Sequence, residues 1–232
     1  AGRLTDASFP PGSRQWLSHQ NHLQVLRNGQ GRVREALQAI LRTQPYWAGA
    51  TRETLRDMLV YRRNTLAIQI RLSEYTDIEP RARALVAEMD RLMGPGNDLS
   101  AGMRHELARY FTEVGQRQAA LQQREQNLAL AQAAQVQHPA VVVPLQVQVL
   151  LARAQAGAAP PAELERDARA LLGTVQAHGT ALGYSRADAW INLVRVGLLL
   201  DDAALAAEAL APLKADAGLR LDRDRLLASR RG

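Results

Sequence analysis

Apolar residues recur at spacings of three and four along most of the chain, a pattern typical of amphipathic α-helices. The stretch 101–135 shows it most clearly. Its first half carries one apolar stripe, formed by Met103, Leu107, Tyr110, Phe111 and Val114. A second apolar set follows Gly115, a residue that closes a helix in the left-handed conformation at little steric cost. This stretch therefore predicts two antiparallel helices joined by a glycine turn.

The spacing in this hairpin resembles the tetratricopeptide repeat (TPR), a helical hairpin of roughly 34 residues with an aromatic-x2-L-G-x2-Y opening, an A-x3-F step and a closing proline. Five positions follow the pattern: Leu107, Ala108, Phe111, Gly115 and Ala120. Two features depart from it, because Arg124 replaces a bulky apolar residue and the closing proline is absent.

A second stretch, 187–216, resembles the same repeat. Four positions carry the match: Trp190, Leu193, Ala206 and Leu210. The acidic pair Asp201-Asp202 stands at the turn, while Val194 replaces the glycine and Gly197 replaces the aromatic residue. An irregular all-helical domain rich in Ala and Leu is the alternative explanation of both matches.

The same periodicity predicts helices in the first half of the chain. Residues 1–13 form an extended lead-in, and a helix begins near Arg14 and ends at the Gly29-Gly31 turn. The apolar residues of this helix are Trp16, Leu17, Leu23, Val25 and Leu26. A partner helix runs to Pro45, and Thr51 is expected to cap a longer helix over 52–74. The next helix begins around Pro80 and ends at Met93.

The second half of the chain continues in the same way. The Val141–Val143 run looks strand-like, but its flanks are helical and no partner strand is evident, so we expect a helix with Pro144 in its first turn. Another helix begins at Pro160-Pro161 and ends near Gly179. The tail beyond 216 is expected to form a capping helix with a polar outer face.

These elements predict an all-α fold of about ten to eleven helices, arranged as antiparallel hairpins stacked into a TPR-like α-solenoid. Residues 14–232 form one helical-repeat domain. The segment 94–100, GPGNDLS, is the clearest break in the pattern. It is either a loop between repeats or a hinge between two halves, and we favour the loop.

The charge is distributed rather than clustered. The net charge is +6, with 29 basic and 23 acidic residues, and Lys214 is the only lysine. Arginines that could contact phosphates occur at Arg62-Arg63, Arg81/Arg83 and Arg220/Arg223/Arg225/Arg230/Arg231. Acidic residues are interleaved with most of them, and no platform of aromatic residues accompanies them. We therefore do not expect nucleic-acid binding.

No motif for catalysis appears, since the chain has no G-x-S-x-G elbow, Walker loop or H-E-x-x-H sequence. His19 and His22 are spaced for one helical face, but no third ligand is close in sequence, so we expect neither a metal nor a cofactor. The chain has no cysteine, which fits the cytoplasm or the periplasm, with the cytoplasm favoured. No apolar run is long enough for a membrane span.

The resemblance to the TPR family implies a scaffold that binds a peptide or another segment of a protein partner. In that family the first helix of each repeat lines a concave groove. The corresponding positions in this chain are His105, Arg109, Thr112, Glu113, Ile191 and Arg195. Arg109 and Arg195 could bind carboxylates of a partner through their planar donor groups.

Two other interpretations remain open at this point. The chain begins with Ala1, which suggests a mature form or a piece of a longer protein. It could be the sensor or oligomerisation domain of a bacterial transcriptional regulator or kinase, in which case it could form a homo-oligomer. An all-helical enzyme whose site is not visible in the sequence is the third interpretation.

Overall fold

A computed structural model describes residues 9–49, 51, 53–136, 138–183 and 185–215. Most of the predicted lead-in and all of the predicted capping helix beyond residue 216 therefore lie outside the described residues. Within the described ranges the structure contains ten α-helices, one short 3-10 helix and no strand. The prediction of an all-α fold is confirmed.

The helices follow one another with short connections. Those of the first half are α1 (Arg14–Gly29), α2 (Val33–Leu41), the 3-10 helix (Gln44–Trp47), α3 (Leu55–Arg71), α4 (Ile78–Met93) and α5 (Asp98–Glu113). Those of the second half are α6 (Arg117–Ala133), α7 (Pro139–Ala156), α8 (Pro161–Ala177), α9 (Ser185–Leu199) and α10 (Ala203–Ala215).

The described residues form two compact units, which divide within α5 between Glu106 and Leu107. In the first unit α1 packs on α2, α2 on α3 and α3 on α4. In the second unit α7 packs on α6, α8 and α9, and α9 also packs on α8 and α10. Each unit therefore consists of hairpins in which the second helix of one pair contacts the first helix of the next. The single domain over 14–232 stays a prediction.

The core of the second unit is apolar and continuous. Its largest buried group combines α7, α8, α9 and α10, and includes Val143, Val147, Leu150, Leu151, Leu164, Leu172, Trp190, Leu193, Val196 and Leu205. Burial of such side chains contributes roughly 1.5–3 kcal/mol each relative to leaving them exposed. This core holds the hairpins of the second unit together.

The central hairpin buries the residues that the repeat pattern singles out. Leu107, Ala108 and Phe111 on α5 are almost fully buried, as is Ala120 on α6. Gly115 adopts φ +79°, the left-handed conformation expected of a residue that ends a helix. The predicted helical hairpin is therefore present.

The structure of the last hairpin explains why Gly197 replaces the aromatic residue of the repeat pattern. A Cβ atom added to Gly197 would lie 2.7 Å from the backbone nitrogen of Ala206, closer than real Cβ contacts occur. The backbones of α9 and α10 thus approach each other directly at this point. An aromatic side chain at position 197 has no room, which is why glycine stands there.

The first helix differs from the sequence prediction. Its buried residues are Trp16, Gln20 and Gln24, whereas Val25 and Leu26 are each 55% exposed. The buried face is the row at spacings of four that begins with Trp16, and this row carries glutamines. Of the apolar residues predicted for this helix, Trp16 is therefore buried, Leu17 and Leu23 are partly buried, and Val25 and Leu26 face solvent.

Two predicted details of helix boundaries were also wrong, and one short helix was not predicted. Thr51 does not cap the third helix, because α3 begins at Leu55 and the Thr51 backbone N–H donates to Oγ1 of Thr54 instead (2.9 Å). The chain forms an additional 3-10 helix over Gln44–Trp47. Pro144 lies in the second turn of α7, which begins at Pro139, rather than in its first turn.

The segment between α4 and α5 is a tightly hydrogen-bonded turn. The Asn97 side chain accepts hydrogen bonds from the backbone N–H groups of Leu99 (3.1 Å) and Ser100 (3.0 Å) at the start of α5. Its amide nitrogen donates to the carbonyl oxygen of Gly94 (2.7 Å). Asn97 thereby links the turn to α5. Whether 94–100 acts as a hinge stays a prediction.

Candidate functional site

Three of the sequence-predicted positions on α5 form contacts within that helix. Arg109 forms an ion pair with Glu113, one helical turn later (3.5 Å). The Thr112 hydroxyl donates to the Ala108 carbonyl oxygen (2.9 Å), so its hydrogen is already used. His105 is partly buried. These contacts do not test partner binding, and the four positions stay predictions.

The two predicted positions on α9 differ from each other. Ile191 is partly buried and packs against the apolar core of the second unit, so it has a structural role there. Arg195 is also partly buried, and its Nη1 donates to Oδ1 of Asn192 (3.3 Å). The guanidinium of Arg195 is thus held by a neutral amide, and we retain this residue as a candidate for partner binding.

The structure identifies a further arginine of the same kind in the first unit. Arg63 lies on α3, is partly buried, and donates from Nε (3.3 Å) and Nη2 (3.0 Å) to Oδ1 of the neighbouring Asn64. Among the described residues no carboxylate forms an ion pair with Arg63. We use the term amide-held arginine for Arg63 and Arg195.

Burial lowers the pKa of Arg63, since removal from water disfavours the charged guanidinium. The more distant carboxylates of Glu106 and Asp98 act in the opposite direction, but the loss of solvation is the larger effect. Arginine nevertheless remains protonated at all ordinary pH values. Arg63 is therefore a partly desolvated positive charge without a carboxylate partner in the described part of the chain.

Gly102 on α5 provides the space that Arg63 occupies. A Cβ atom added to Gly102 would lie 3.1 Å from Nη1 of Arg63, which is closer than nine in ten real Cβ contacts. Glycine inside a helix costs roughly 0.5–1 kcal/mol relative to alanine. The close approach of the guanidinium gives a physical reason for glycine at this position.

Asn64 connects Arg63 to the first helix. Its amide nitrogen donates to Oε1 of the buried Gln24 (3.2 Å) and lies 3.5 Å from Oδ1 of Asn21. These contacts on α1 orient the amide so that its oxygen faces Arg63. The result is a polar row across α1 and α3, formed by Asn21, Gln24, Asn64 and Arg63. We call it the amide row.

Two nearby arginines of the first unit have carboxylate partners instead. Arg104 is buried and pairs with Asp90, while Nη1 donates to Oγ of Ser100 (3.1 Å). Arg62, which precedes Arg63 on α3, pairs with Glu88. The charge of each of these two guanidinium groups is already compensated by a carboxylate. The charge of Arg63 is not compensated by an ion pair within the described part of the chain.

The sequence contained a signal for the amide row that the hydrophobic pattern obscured. Gln20 and Gln24 recur at the spacing of four that marks one helical face, together with Trp16. Arg63 entered the sequence analysis only as one half of a basic pair. Arg63 differs from Arg62 in that its guanidinium contacts the neighbouring Asn64. This contact is visible only in the structure.

The described part of the chain offers neither a metal site nor a membrane span. No group of three or more His, Asp or Glu side chains there could hold a metal ion, and His19 and His22 gain no third ligand. No helix there is long and apolar enough to cross a membrane. Of the predicted phosphate-contacting arginines, Arg62 and Arg83 pair with Glu88 and Glu79, and those from Arg220 onward lie outside the described residues.

Comparison with known proteins shows the fold. No family model and no curated protein matches the sequence. The structure is similar to a crystal structure of a putative kinesin light chain from Podosopora anserina with nearly identical TPR-like repeats. The TM-score is 0.63 and the identity 19%, over 90% of this chain and 97% of the other. A point variant of that protein gives a TM-score of 0.65 and an identity of 19%, over 94% and 99% of the two chains.

The chain thus has a TPR-like helical fold. At 19% identity the similarity supports the arrangement of helices and nothing finer. The resemblance seen in the sequence at 101–135 and 187–216 is confirmed at the level of the fold, since both stretches contain the helical hairpins it implies. A TPR-like fold commonly serves protein–protein interaction.

Proposed function

We propose that this protein is an interaction scaffold that binds acidic segments of a protein partner through its amide-held arginines. The observation that carries the proposal is the state of Arg63. Its guanidinium is partly buried, donates to a neutral amide oxygen, and has no carboxylate partner in the described part of the chain. A carboxylate side chain of a partner is the group that matches such a cation.

The environment of Arg63 favours binding of a carboxylate in two ways. Its side chain is already ordered by Asn64, so binding sacrifices less conformational freedom than it would at a solvated arginine. Part of its hydration is already removed in the free protein, so less desolvation remains to be done when the partner binds. Both effects make the binding free energy contributed by one charge-assisted hydrogen-bond pair more favourable.

Arg195 supports the proposal independently in the second unit. It lies on the first helix of its hairpin, as Arg63 does, and Asn192 holds it at 3.3 Å. Arg109 is a weaker candidate, because a partner would have to displace Glu113, which lies 3.5 Å away. We therefore rank Arg63 and Arg195 above the remaining sequence-predicted positions.

The experiment compares Arg63→Gln with Arg34→Gln. Both residues lie in the first unit, but Arg34 is exposed on α2 and has no ion pair among the described residues. The probe is a fluorescein-labelled peptide rich in Asp and Glu, with the corresponding Asn and Gln peptide as its neutral counterpart. Fluorescence anisotropy should show that Arg63→Gln weakens binding of the acidic peptide about tenfold, roughly 1.4 kcal/mol. Arg34→Gln should change it less than about twofold, since it removes only an exposed, solvated charge.

Two results would contradict the proposal. The first is equal affinity of the unaltered protein for the acidic and neutral peptides. The second is an equal loss in the two variants, which would indicate a general effect of net charge. Circular dichroism of each variant verifies that helicity is retained. The alternative of a sensor or oligomerisation domain gains no specific support from the described residues, so we do not pursue it.

A further inference from the structure

A second candidate site lies at the start of the chain, where aromatic residues are concentrated. Five of the ten aromatic residues of the chain occur between positions 9 and 61. Four of them form two ring pairs. The rings of Trp16 and Tyr46 meet edge to face at 5.3 Å, and those of Trp47 and Tyr61 stack at 5.9 Å. Such a concentration in a chain otherwise built from Leu, Ala and Val requires a local explanation.

Three of these rings, those of Tyr46, Trp47 and Tyr61, line a cavity of about 440 Å³ within the first unit. Its apolar wall comes from Leu17 on α1, Ile40 on α2, Tyr46 and Trp47 on the 3-10 helix, and Val60 and Tyr61 on α3. Cavities that bind small organic molecules measure roughly 300–1,000 Å³ and combine an apolar wall with a few polar groups. The volume here lies near the lower limit and suits a molecule the size of a single amino acid.

The wall of the cavity is held in place before any ligand binds. Nε1 of Trp47 donates to Oγ1 of Thr43 (3.0 Å), which itself donates to the Ile40 carbonyl oxygen (2.7 Å). On the other side Gly12, at φ +85°, lies so close to Tyr46 that a Cβ atom there would overlap the ring. Because the indole N–H of Trp47 already donates to Thr43, Trp47 can contact a ligand only through its ring carbons.

Among the described residues, two of opposite charge also line this cavity. Arg14 is the first residue of α1, and Asp57 lies in the first turn of α3. Both are exposed, and neither has an ion pair or side-chain hydrogen bond among the described residues. They also do not pair with each other, because no nitrogen and oxygen of the two come within 4.0 Å.

The position of Arg14 is not explained by helix stability. A cation at a helix N-terminus opposes the helix dipole, at a cost of about 0.3–1 kcal/mol. Asp57 is in the opposite situation, since an acidic residue in the first turn is favoured there. Arg14 therefore stands where its own helix disfavours it, facing a cavity that a negative group of a ligand could enter.

We propose that this cavity binds a free α-amino acid with an aromatic side chain. The α-carboxylate contacts Arg14, the α-ammonium contacts Asp57, and the ring packs among Tyr46, Trp47 and Tyr61. A ligand with one charge satisfies one of the two residues and leaves the other facing a like charge or nothing. A zwitterion satisfies both, and this requirement selects the class of ligand. The inference does not use Arg63, on which the acidic-segment proposal rests, although Asn21 of the amide row also lines the cavity.

The test uses isothermal titration calorimetry on the full chain, with four probes that share one ring. They are L-phenylalanine, 3-phenylpropionate without the ammonium, 2-phenylethylamine without the carboxylate, and N-acetyl-L-phenylalaninamide without either charge. L-Phenylalanine should bind with a Kd at or below about 1 mM. Each of the other three should bind about tenfold or more weakly, because each loses at least one charge-assisted contact.

Substitutions of Arg14 and Asp57 test which charged group of the ligand each residue contacts. Arg14→Gln should weaken L-phenylalanine about tenfold while leaving 2-phenylethylamine unchanged, and Asp57→Asn should weaken it about tenfold while leaving 3-phenylpropionate unchanged. Arg117→Gln is the matched control, since Arg117 also opens a helix, α6, but lies in the second unit. It should have no effect on any probe. All three side chains are exposed, so the variants are expected to fold normally.

Three outcomes would overturn the proposal. One is the absence of binding by all four probes at about 10 mM. Another is equal binding of L-phenylalanine and N-acetyl-L-phenylalaninamide, which would show that the cavity takes an uncharged side chain of a peptide. The last is loss of L-phenylalanine binding without the crossed pattern of the two variants. Arg63→Gln should leave L-phenylalanine binding intact, so the two proposals can fail separately.

Discussion

Hydrogen-bonded amides lie between α1 and α3 in the first unit, whereas α7 and α9 of the second unit share an apolar core. Asn64 on α3 donates to the buried Gln24 on α1 at 3.2 Å. In the second unit α7 packs on α9, and Val147, Leu150 and Leu193 belong to one buried apolar group. Successive first helices are thus linked by polar side chains in one unit and by apolar side chains in the other.

Apolar burial and buried hydrogen bonds contribute differently to stability and to the orientation of binding groups. Burial of apolar surface contributes roughly 25 cal/mol per Å² and requires no particular orientation. A buried hydrogen bond contributes only about 1 kcal/mol net, but it fixes where each donor and acceptor points. Both units bury apolar side chains, but the first unit also uses part of its interior for the amides that orient Arg63. Substitutions in the core of the second unit should therefore mainly lower stability, whereas substitutions in the amide row should mainly change binding.

The largest effect is expected at Leu193, in the core of the second unit. Leu193→Ala removes a fully buried side chain and should lower the free energy of unfolding by about 2–5 kcal/mol. The matched control is Leu26→Ala, since Leu26 is 55% exposed and should contribute within about 0.5 kcal/mol. Urea denaturation measures both. An equal effect of the two substitutions would contradict the assignment of Val25 and Leu26 to the solvent face of α1.

A smaller loss is expected where α9 and α10 touch. Gly197→Ala places a Cβ atom 2.7 Å from the Ala206 nitrogen, and the resulting displacement should cost about 1–3 kcal/mol. Gly173→Ala, inside α8, is the control because an added Cβ meets nothing within 4 Å. That substitution should stabilise the protein by roughly 0.5–1 kcal/mol, since alanine is the better helix former. A stabilising Gly197→Ala would show that the two backbones do not approach this closely.

The amide row provides the next comparison. Asn64→Asp keeps the shape of the side chain but places a carboxylate against Arg63 and removes the donor to Gln24. Stability should fall by only about 1 kcal/mol, because a new ion pair offsets part of the lost hydrogen bond. Binding of the acidic peptide should fall about tenfold, because Arg63 then has an internal partner.

A measurement of both quantities distinguishes this explanation from simple unfolding. If Asn64→Asp retains acidic-peptide binding while helicity is unchanged, Arg63 does not contact the peptide. The Asn64→Ala variant completes the comparison. It frees Arg63 from its amide without supplying a carboxylate, so binding should fall less than with aspartate.

The sequence predicted the fold better than it predicted the site, and particular residues show why. Phe111, Ala108 and Trp190 are buried as the repeat pattern requires, because large and small apolar residues have few places other than a core. Gln24 violates that rule, since a hydrogen bond from Asn64 allows a polar side chain to be buried. Such a bond joins residues on different helices. Their pairing cannot be deduced from spacing along one helix.

The close approaches were hidden for a similar reason. Gly102 and Gly197 both appear in the sequence as weak points inside helices. Their role depends on which atom lies opposite, the Arg63 guanidinium in one case and the Ala206 backbone in the other. Periodicity identifies the face on which a residue lies, but it does not identify the neighbour that this face meets.

The smallest effect is expected at the exposed ion pair of Arg56 and Asp98, which joins α3 to the start of α5. The hydrogen bond from Arg56 is the main cause of a pKa of Asp98 below its usual value of 3.8. A carboxyl group whose pKa is lowered by folding stabilises the folded state at pH values above its unfolded pKa. That contribution is lost as the pH falls through the folded pKa. Because the side chains are 53% and 65% exposed, the contribution at pH 7 should be about 0.5 kcal/mol or less.

Arg56→Gln tests this pair more cleanly than substitution of Asp98. Asp98 also lies in the first turn of α5, where a negative charge is favourable by itself, and Arg56→Gln leaves that interaction in place. The small loss of stability at pH 7 should vanish below the folded pKa of Asp98, and also in about 1 M salt, which screens exposed charges. A loss that persists in acid would mean that Arg56 stabilises α3 through the packing of its side chain.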